Sequence, residues 1–110
     1  MSEVEAFLDV VLPQMKVADT ALHNGDASGR VAMWSRNDPV TLFGAALSGS
    51  RWDEIGPVFE AVAARFSDCS SWEFEQLAAG ASGDLGYTVG IERTTCRIGD
   101  AAPSSYALRV

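Results

Sequence analysis

The spacing of apolar residues changes once along this chain, and that change limits the fold more than any other feature of the sequence. From Val4 onward, apolar side chains recur at Phe7, Leu8, Val11, Leu12, Met15, Ala18 and Leu22, three and four apart, which lines one face of a helix. After Ser67 the repeat shortens to two: Trp72, Phe74, Gln76 and Ala78 alternate with Glu73, Glu75 and Leu77, and Tyr87, Val89 and Ile91 alternate with Thr88, Gly90 and Glu92. Helices first and antiparallel strands after them predict an α+β domain, with the helices covering one face of a curved, mostly antiparallel sheet. At 110 residues the chain holds one core, so residues 1–110 form a single domain.

Local signals set the expected boundaries. Pro13 removes a backbone donor inside the first helix and predicts a kink or break near residues 9–13. Gly25 ends that helix in a left-handed conformation, and Asp26 caps a short second helix over about 27–34. Asn37, Asp38 and Pro39 make a turn before a short strand at Val40–Phe43, with residues 45–50 as a hairpin tip or loop. Ser50 and Asp53 resemble a capping box before a third helix carrying Ile55, Phe59, Val62, Ala63 and Phe66, with Pro57 in its first turn. A turn at 80–83 joins two strands into a hairpin, and Tyr106, Leu108 and Val110 start a last strand after the break at 99–103.

Composition narrows the function. Fifteen acidic against eight basic residues give a formal charge of -7, which repels a phosphate backbone or an anionic lipid surface, so nucleic acid and membrane are not expected as partners. The opening residues MSEVEAF carry acids where a secretory signal carries bases, and the expected location is cytoplasmic. No glycine-rich loop leads into a phosphate-binding lysine, the sole lysine being Lys16 in the first helix, and no cofactor is expected.

The strings ALHNGD at 21–26, VAMW at 31–34 and DPVTLFG at 38–44, with GDLGYTVGIERTT at 83–95, together resemble a SnoaL-like domain of the nuclear transport factor 2-like superfamily. The resemblance spans roughly residues 3–110. It implies a cone-shaped α+β fold whose interior takes a small apolar or polycyclic molecule, with cofactor-free isomerase- or cyclase-type chemistry as one option. A non-catalytic dimerisation or interaction module is the alternative. Alignment with the ketosteroid isomerase branch places Ala18 where that enzyme has a tyrosine donor and Leu42 where it has an aspartate base. Neither side chain moves a proton, so the resemblance leaves catalysis open. The epoxide hydrolase pattern of an arginine flanked by two carboxylates is not reproduced by Glu92 and Arg93, which point to opposite sides of a strand. Members of the family continue beyond the point where this chain stops at Val110. The resemblance therefore implies a sheet lacking its last strand or strands, and a homodimer that covers the opening.

Candidate residues divide between functional and structural readings. His23, the only histidine, either pairs with Asp26 as an acid and base or sits against the carbonyl end of its helix. Asp38 is either a turn residue or an acid, and Arg93 either enters the cone or reaches solvent at a strand end. Trp34, Phe43, Phe59, Trp72, Tyr87 and Tyr106 either line a ligand pocket or fill the core. With Ser82 and Gly83 at the centre of the hairpin turn, Cys69 faces Cys96, Phe74 faces Ile91, Ala78 faces Tyr87 and Glu73 faces Glu92. That register predicts adjacent reduced thiols and no metal site.

Overall fold

A computed structural model describes all 110 residues. Helix α1 (Glu3–Leu22) opens on a capping box that the sequence reading missed: the Ser2 hydroxyl accepts the Glu5 N–H at 3.2 Å while the Glu5 carboxylate accepts the Ser2 N–H at 3.1 Å. Of the kink or break expected near residues 9–13, the break is absent: the helix runs unbroken through Pro13. The carbonyl that loses its donor belongs to Asp9, and both residues lie on the exposed side, where the carbonyl is open to solvent. The end of α1 is as expected. Gly25 takes φ 91°, its N–H bonds the Leu22 carbonyl at 3.1 Å, and the Asp26 N–H closes on Ala21 at 2.9 Å. The Asp26 carboxylate accepts the Ser28 N–H at 2.9 Å in the turn just ahead of α2 (Ser28–Met33), but the N-cap is Ala27 and not Asp26, since Asp26 lies one residue too early for that place.

The middle of the chain departs further from expectation. Of residues 45–50, expected as a hairpin tip or loop, the first three do form a hairpin tip, but Ser48–Ser50 forms β2, paired antiparallel with β1 (Thr41–Phe43) in a separate two-stranded sheet. Helix α3 (Trp52–Ala63) begins one residue before Asp53, so Asp53 is not its cap and Pro57 falls in the second turn. Its first donor is met from a distance, the Trp52 N–H bonding the Asp38 carboxylate at 3.2 Å. Glu54 reaches back to accept the Ser50 N–H at 2.9 Å. Ile55, Phe59 and Ala63 of α3 pack with Leu22 and Ala27 into a small core, against which Trp34, Val40 and Leu42 also rest.

The main sheet is antiparallel, in the order β3 (Phe66–Ser82), β4 (Leu85–Ile98), β5 (Ser104–Arg109). The turn sits one residue later than expected, with Gly83 and Asp84 at its centre and Ser82 opposite Leu85. Two irregularities in β3 then move the register. Ala78 pairs with Val89 but Gln76 with Gly90, so Leu77 is an extra residue; farther along, residues 68–70 together face Cys96. The expected pairs are corrected accordingly: Phe74 faces Glu92, Ala78 faces Val89, and Glu73 faces Arg93. The like-charge pair of Glu73 with Glu92 is thereby avoided.

A shift of one residue exchanges the faces of a strand. The even-numbered residues of β4, among them Glu92, Thr94 and Cys96, turn towards α1, whereas Leu85, Tyr87 and Val89 turn away and are exposed. The Tyr87 ring lies across Gly80 on that outer face. Gly90 is required by space, since a Cβ there would overlap the Glu75 carbonyl and the Phe74 ring. No helix is long and apolar enough to cross a membrane.

Candidate functional site

Three elements deliver polar side chains to the interface between α1 and the sheet. On α1, the buried positions are Met15, Ala18, Asp19 and Leu22, the spacing of one helix face, so the Asp19 carboxylate points inward with its apolar neighbours. His23 lies one turn further along the same face and is 4% exposed. From α2, Arg30 reaches Asp19 with Nε to Oδ1 at 3.4 Å and Nη1 to Oδ2 at 3.5 Å. The Arg30 guanidinium also lies 5.6 Å above the Phe59 ring, so the small core of α3 seats the charge that meets Asp19. The sheet supplies Trp72, Glu92, Thr94 and Tyr106; Trp72 faces Thr94 on β4, and Thr94 faces Tyr106 on β5.

The protonation states follow from burial. His23 Nδ1 lies 2.7 Å from the Asp19 carbonyl oxygen, and Nε2 meets the Tyr106 hydroxyl. A carbonyl only accepts, so Nδ1 carries the proton and Nε2 accepts the tyrosine O–H. Burial lowers the His23 pKa despite that carbonyl and the Asp19 charge, which favours this neutral form. Burial likewise pushes Tyr106 up to about 12, keeping its hydroxyl a donor. Desolvation raises the Asp19 carboxyl too, against the downward pull of Arg30 and His23.

Glu92 is the most displaced acid, pushed up to about 7 by burial first and the Asp19 charge second, with Arg30 opposing. Two carboxyls thus draw on one guanidinium. In the same cluster three buried polar atoms, Arg30 Nε, Trp72 Nε1 and Thr94 Oγ1, complete no hydrogen bond. Unsatisfied groups of this kind are uncommon inside proteins, and a water, an ion or a polar group of a ligand is what satisfies them.

The candidates read from sequence fall in different places. His23 belongs to this cluster, but its partners are Asp19 and Tyr106; Asp26 is exposed and bonds Ser28. Asp38 caps α3. Arg93 does share a face with Tyr87, as its parity implied, but that is the outer face, where it pairs with Glu75 at 3.5 Å. Trp72 and Tyr106 border the cluster, whereas Trp34 and Phe59 pack edge to face at 5.2 Å in the small core. Phe43 is 86% exposed and Tyr87 56%, on other surfaces, so the six aromatic residues do not line one pocket. Ala18 is buried against Gly29, and Leu42 rests on the small core.

Sequence reasoning missed Asp19, Arg30, Glu92 and Thr94. Asp19 carried a usable signal, a charge inside the apolar stripe of α1. Glu92 did not, because its side of the strand depends on a bulge that no local pattern announces. No three His, Cys, Asp or Glu side chains converge as a set that would hold a metal ion. Comparisons with protein-family models, with curated proteins and with solved structures give no match to this chain.

Proposed function

We propose that the chain is a cone-type domain of the SnoaL-like kind that binds a small, mainly apolar molecule between α1 and the sheet. In this reading Glu92 is its acid–base group and no cofactor takes part. The observation that carries the reading is Glu92 itself: a carboxyl held at about 7 within the field of Arg30, on the same sheet face as Trp72 and Thr94, whose Nε1 and Oγ1 are buried without a hydrogen bond. A group with that pKa exchanges a proton readily at neutral pH, Arg30 supplies positive charge for an anion formed on the ligand, and the two orphan atoms supply hydrogen bonds to its polar end. Tyr106 is already committed to His23, so both act as positioning residues that fix the wall of the site.

The test is a thermal-shift screen of polycyclic ketones, phenols and hydroxylated terpenoids at neutral pH, followed by titration of Trp72 fluorescence. We expect at least one class to bind the wild type, and Glu92→Gln or Thr94→Val to weaken that binding about tenfold or more. Binding that is indifferent to both substitutions, or no binding by any class, would overturn the reading.

A second reading, a non-catalytic module that pairs with a copy of itself, is favoured by the outer face of the sheet. Leu85, Tyr87 and Val89 lie there 77%, 56% and 47% exposed, an apolar strip of the kind that marks interaction surfaces. Light scattering is expected to give twice the chain mass of 11.7 kDa at micromolar concentration, and Val89→Glu is expected to return it to a single copy. A wild type already of single-chain mass would remove this reading.

A further inference from the structure

Cys69 and Cys96 are the only cysteines of the chain, and both are free thiols. The bulge in β3 brings them together: Ser67 pairs with Arg97 and Ser71 with Thr95, so Cys69 is the middle of three residues facing Cys96 alone. Both side chains lie on the α1 side of the sheet. Cys96 follows Thr94 in the strand alternation and is fully buried. Cys69 is half-buried and lines a cleft of about 280 Å³ with Lys16 and Thr20 of α1 and the inward-facing Trp72. The bulge is held in place, since the Asn24 side-chain oxygen accepts the Cys69 N–H at 2.9 Å and Asp68 adopts φ 53°. Burial, and after it the neighbouring Cys69, raises the Cys96 thiol above its ordinary range.

We propose that Cys69 and Cys96 form a peroxide-oxidisable dithiol, in which Cys69 reacts with a hydroperoxide and Cys96 closes an intrachain disulfide. The assignment of roles follows from access. Cys69 opens onto the cleft, whereas Cys96 is shut away from any oxidant except an oxidised Cys69. In the first step the Cys69 sulfur attacks the terminal peroxide oxygen. The O–O bond breaks, and the departing oxygen takes up a proton and leaves as water or an alcohol, with Cys69 now a sulfenic acid. In the second step the Cys96 sulfur attacks the Cys69 sulfur, the S–O bond breaks, and the hydroxide leaves as water with the Cys96 proton. Two thiols lose two electrons and two protons, and the hydroperoxide gains both. The product ties the bulge to β4 immediately behind Thr94 and Tyr106. It does not depend on what the polar cluster binds.

The native protein treated with hydrogen peroxide, then mapped without reduction, tests this directly. We expect an intact mass lower by about 2 Da, a single cross-linked peptide pair containing Cys69 and Cys96, and recovery of both thiols with a reductant. In Cys96→Ala, a sulfenic-acid probe is expected to label Cys69; in Cys69→Ser, Cys96 is expected to stay unmodified. Oxidation of wild-type Cys69 to sulfinic acid while Cys96 remains a thiol, or disulfides only between chains, would overturn the proposal whether or not the variants fold.

Discussion

Replacing Phe59 with alanine is expected to lower the unfolding free energy by about 3–5 kcal/mol, the usual cost of emptying a buried aromatic site. The ring is 4% exposed and sits among Leu22, Ala27, Ile55 and Ala63, with the edge of Trp34 against it. Domains of this size hold only about 5–15 kcal/mol in total, so the variant is expected to be marginally folded at room temperature. The small core joins α1, α2 and α3, and the β1–β2 hairpin also packs against α3. The substitution also removes the surface on which the Arg30 guanidinium rests, so a loss of order in α2 is expected beside the loss of stability. Urea unfolding at pH 7, followed by circular dichroism, measures the effect. Phe59→Leu is expected to cost less than about 1.5 kcal/mol, and Phe43→Ala, at a position 86% exposed, to stay within about 0.5 kcal/mol of wild type. A loss below about 1 kcal/mol for Phe59→Ala would mean that the small core is not a structural anchor.

Stability is expected to fall as the pH rises from about 4.5 to about 7, and Glu92→Gln is expected to abolish most of that fall. The folded chain holds the Glu92 proton up to about 7, whereas an unfolded glutamate releases it near 4.5. A raised carboxyl pKa means that the native state binds the proton more tightly than the unfolded state. Its contribution is therefore complete below 4.5 and is lost progressively as the pH climbs through the folded value. The interval corresponds to about 3 kcal/mol at 1.36 kcal/mol per pH unit. Asp19, also raised by burial, acts in the same direction. His23, lowered by burial, acts in the opposite one, since its neutral native form is favoured above about 6.5 and stability drops as acid protonates the unfolded side chain. Comparing wild type with Glu92→Gln at each pH cancels the other groups. The variant is expected to match wild type near pH 4 and to be about 3 kcal/mol more stable at pH 8. Parallel stability curves across that range would show that Glu92 is an ordinary solvated acid.

Much of the architecture was legible where a local pattern carried it. The stripe from Val4 to Leu22 and the Gly25–Asp26 junction specify the first two helices because capping and periodicity act over four or five residues. The sheet was legible as strands but not as faces. Omitting the Leu77 bulge, which alone changes the parity of the pairing, put Tyr87 and Val89 on the face of Trp72 and Phe74 inside, and Glu92 outside, when the reverse holds. The start of α3 was hidden for a different reason. Its cap comes from Asp38, fourteen residues upstream, and only the β1–β2 hairpin brings the two together. The polar cluster was least visible, since Asp19, Arg30 and Glu92 come from three elements and meet only once α2 and the sheet register are in place.

The two interruptions in β3 also bear on self-association. β3 forms one margin of the main sheet, with β4 on a single side, and an uninterrupted margin of seventeen residues would offer a long row of free backbone groups to another molecule. The bulges at 68–70 and at Leu77 cut that row into short stretches, and Asn24 already occupies the Cys69 donor. The opposite margin, β5, is only six residues long. Each margin therefore offers only short rows of free backbone groups, which disfavours the addition of strand upon strand while pairing through the flat of the sheet stays open.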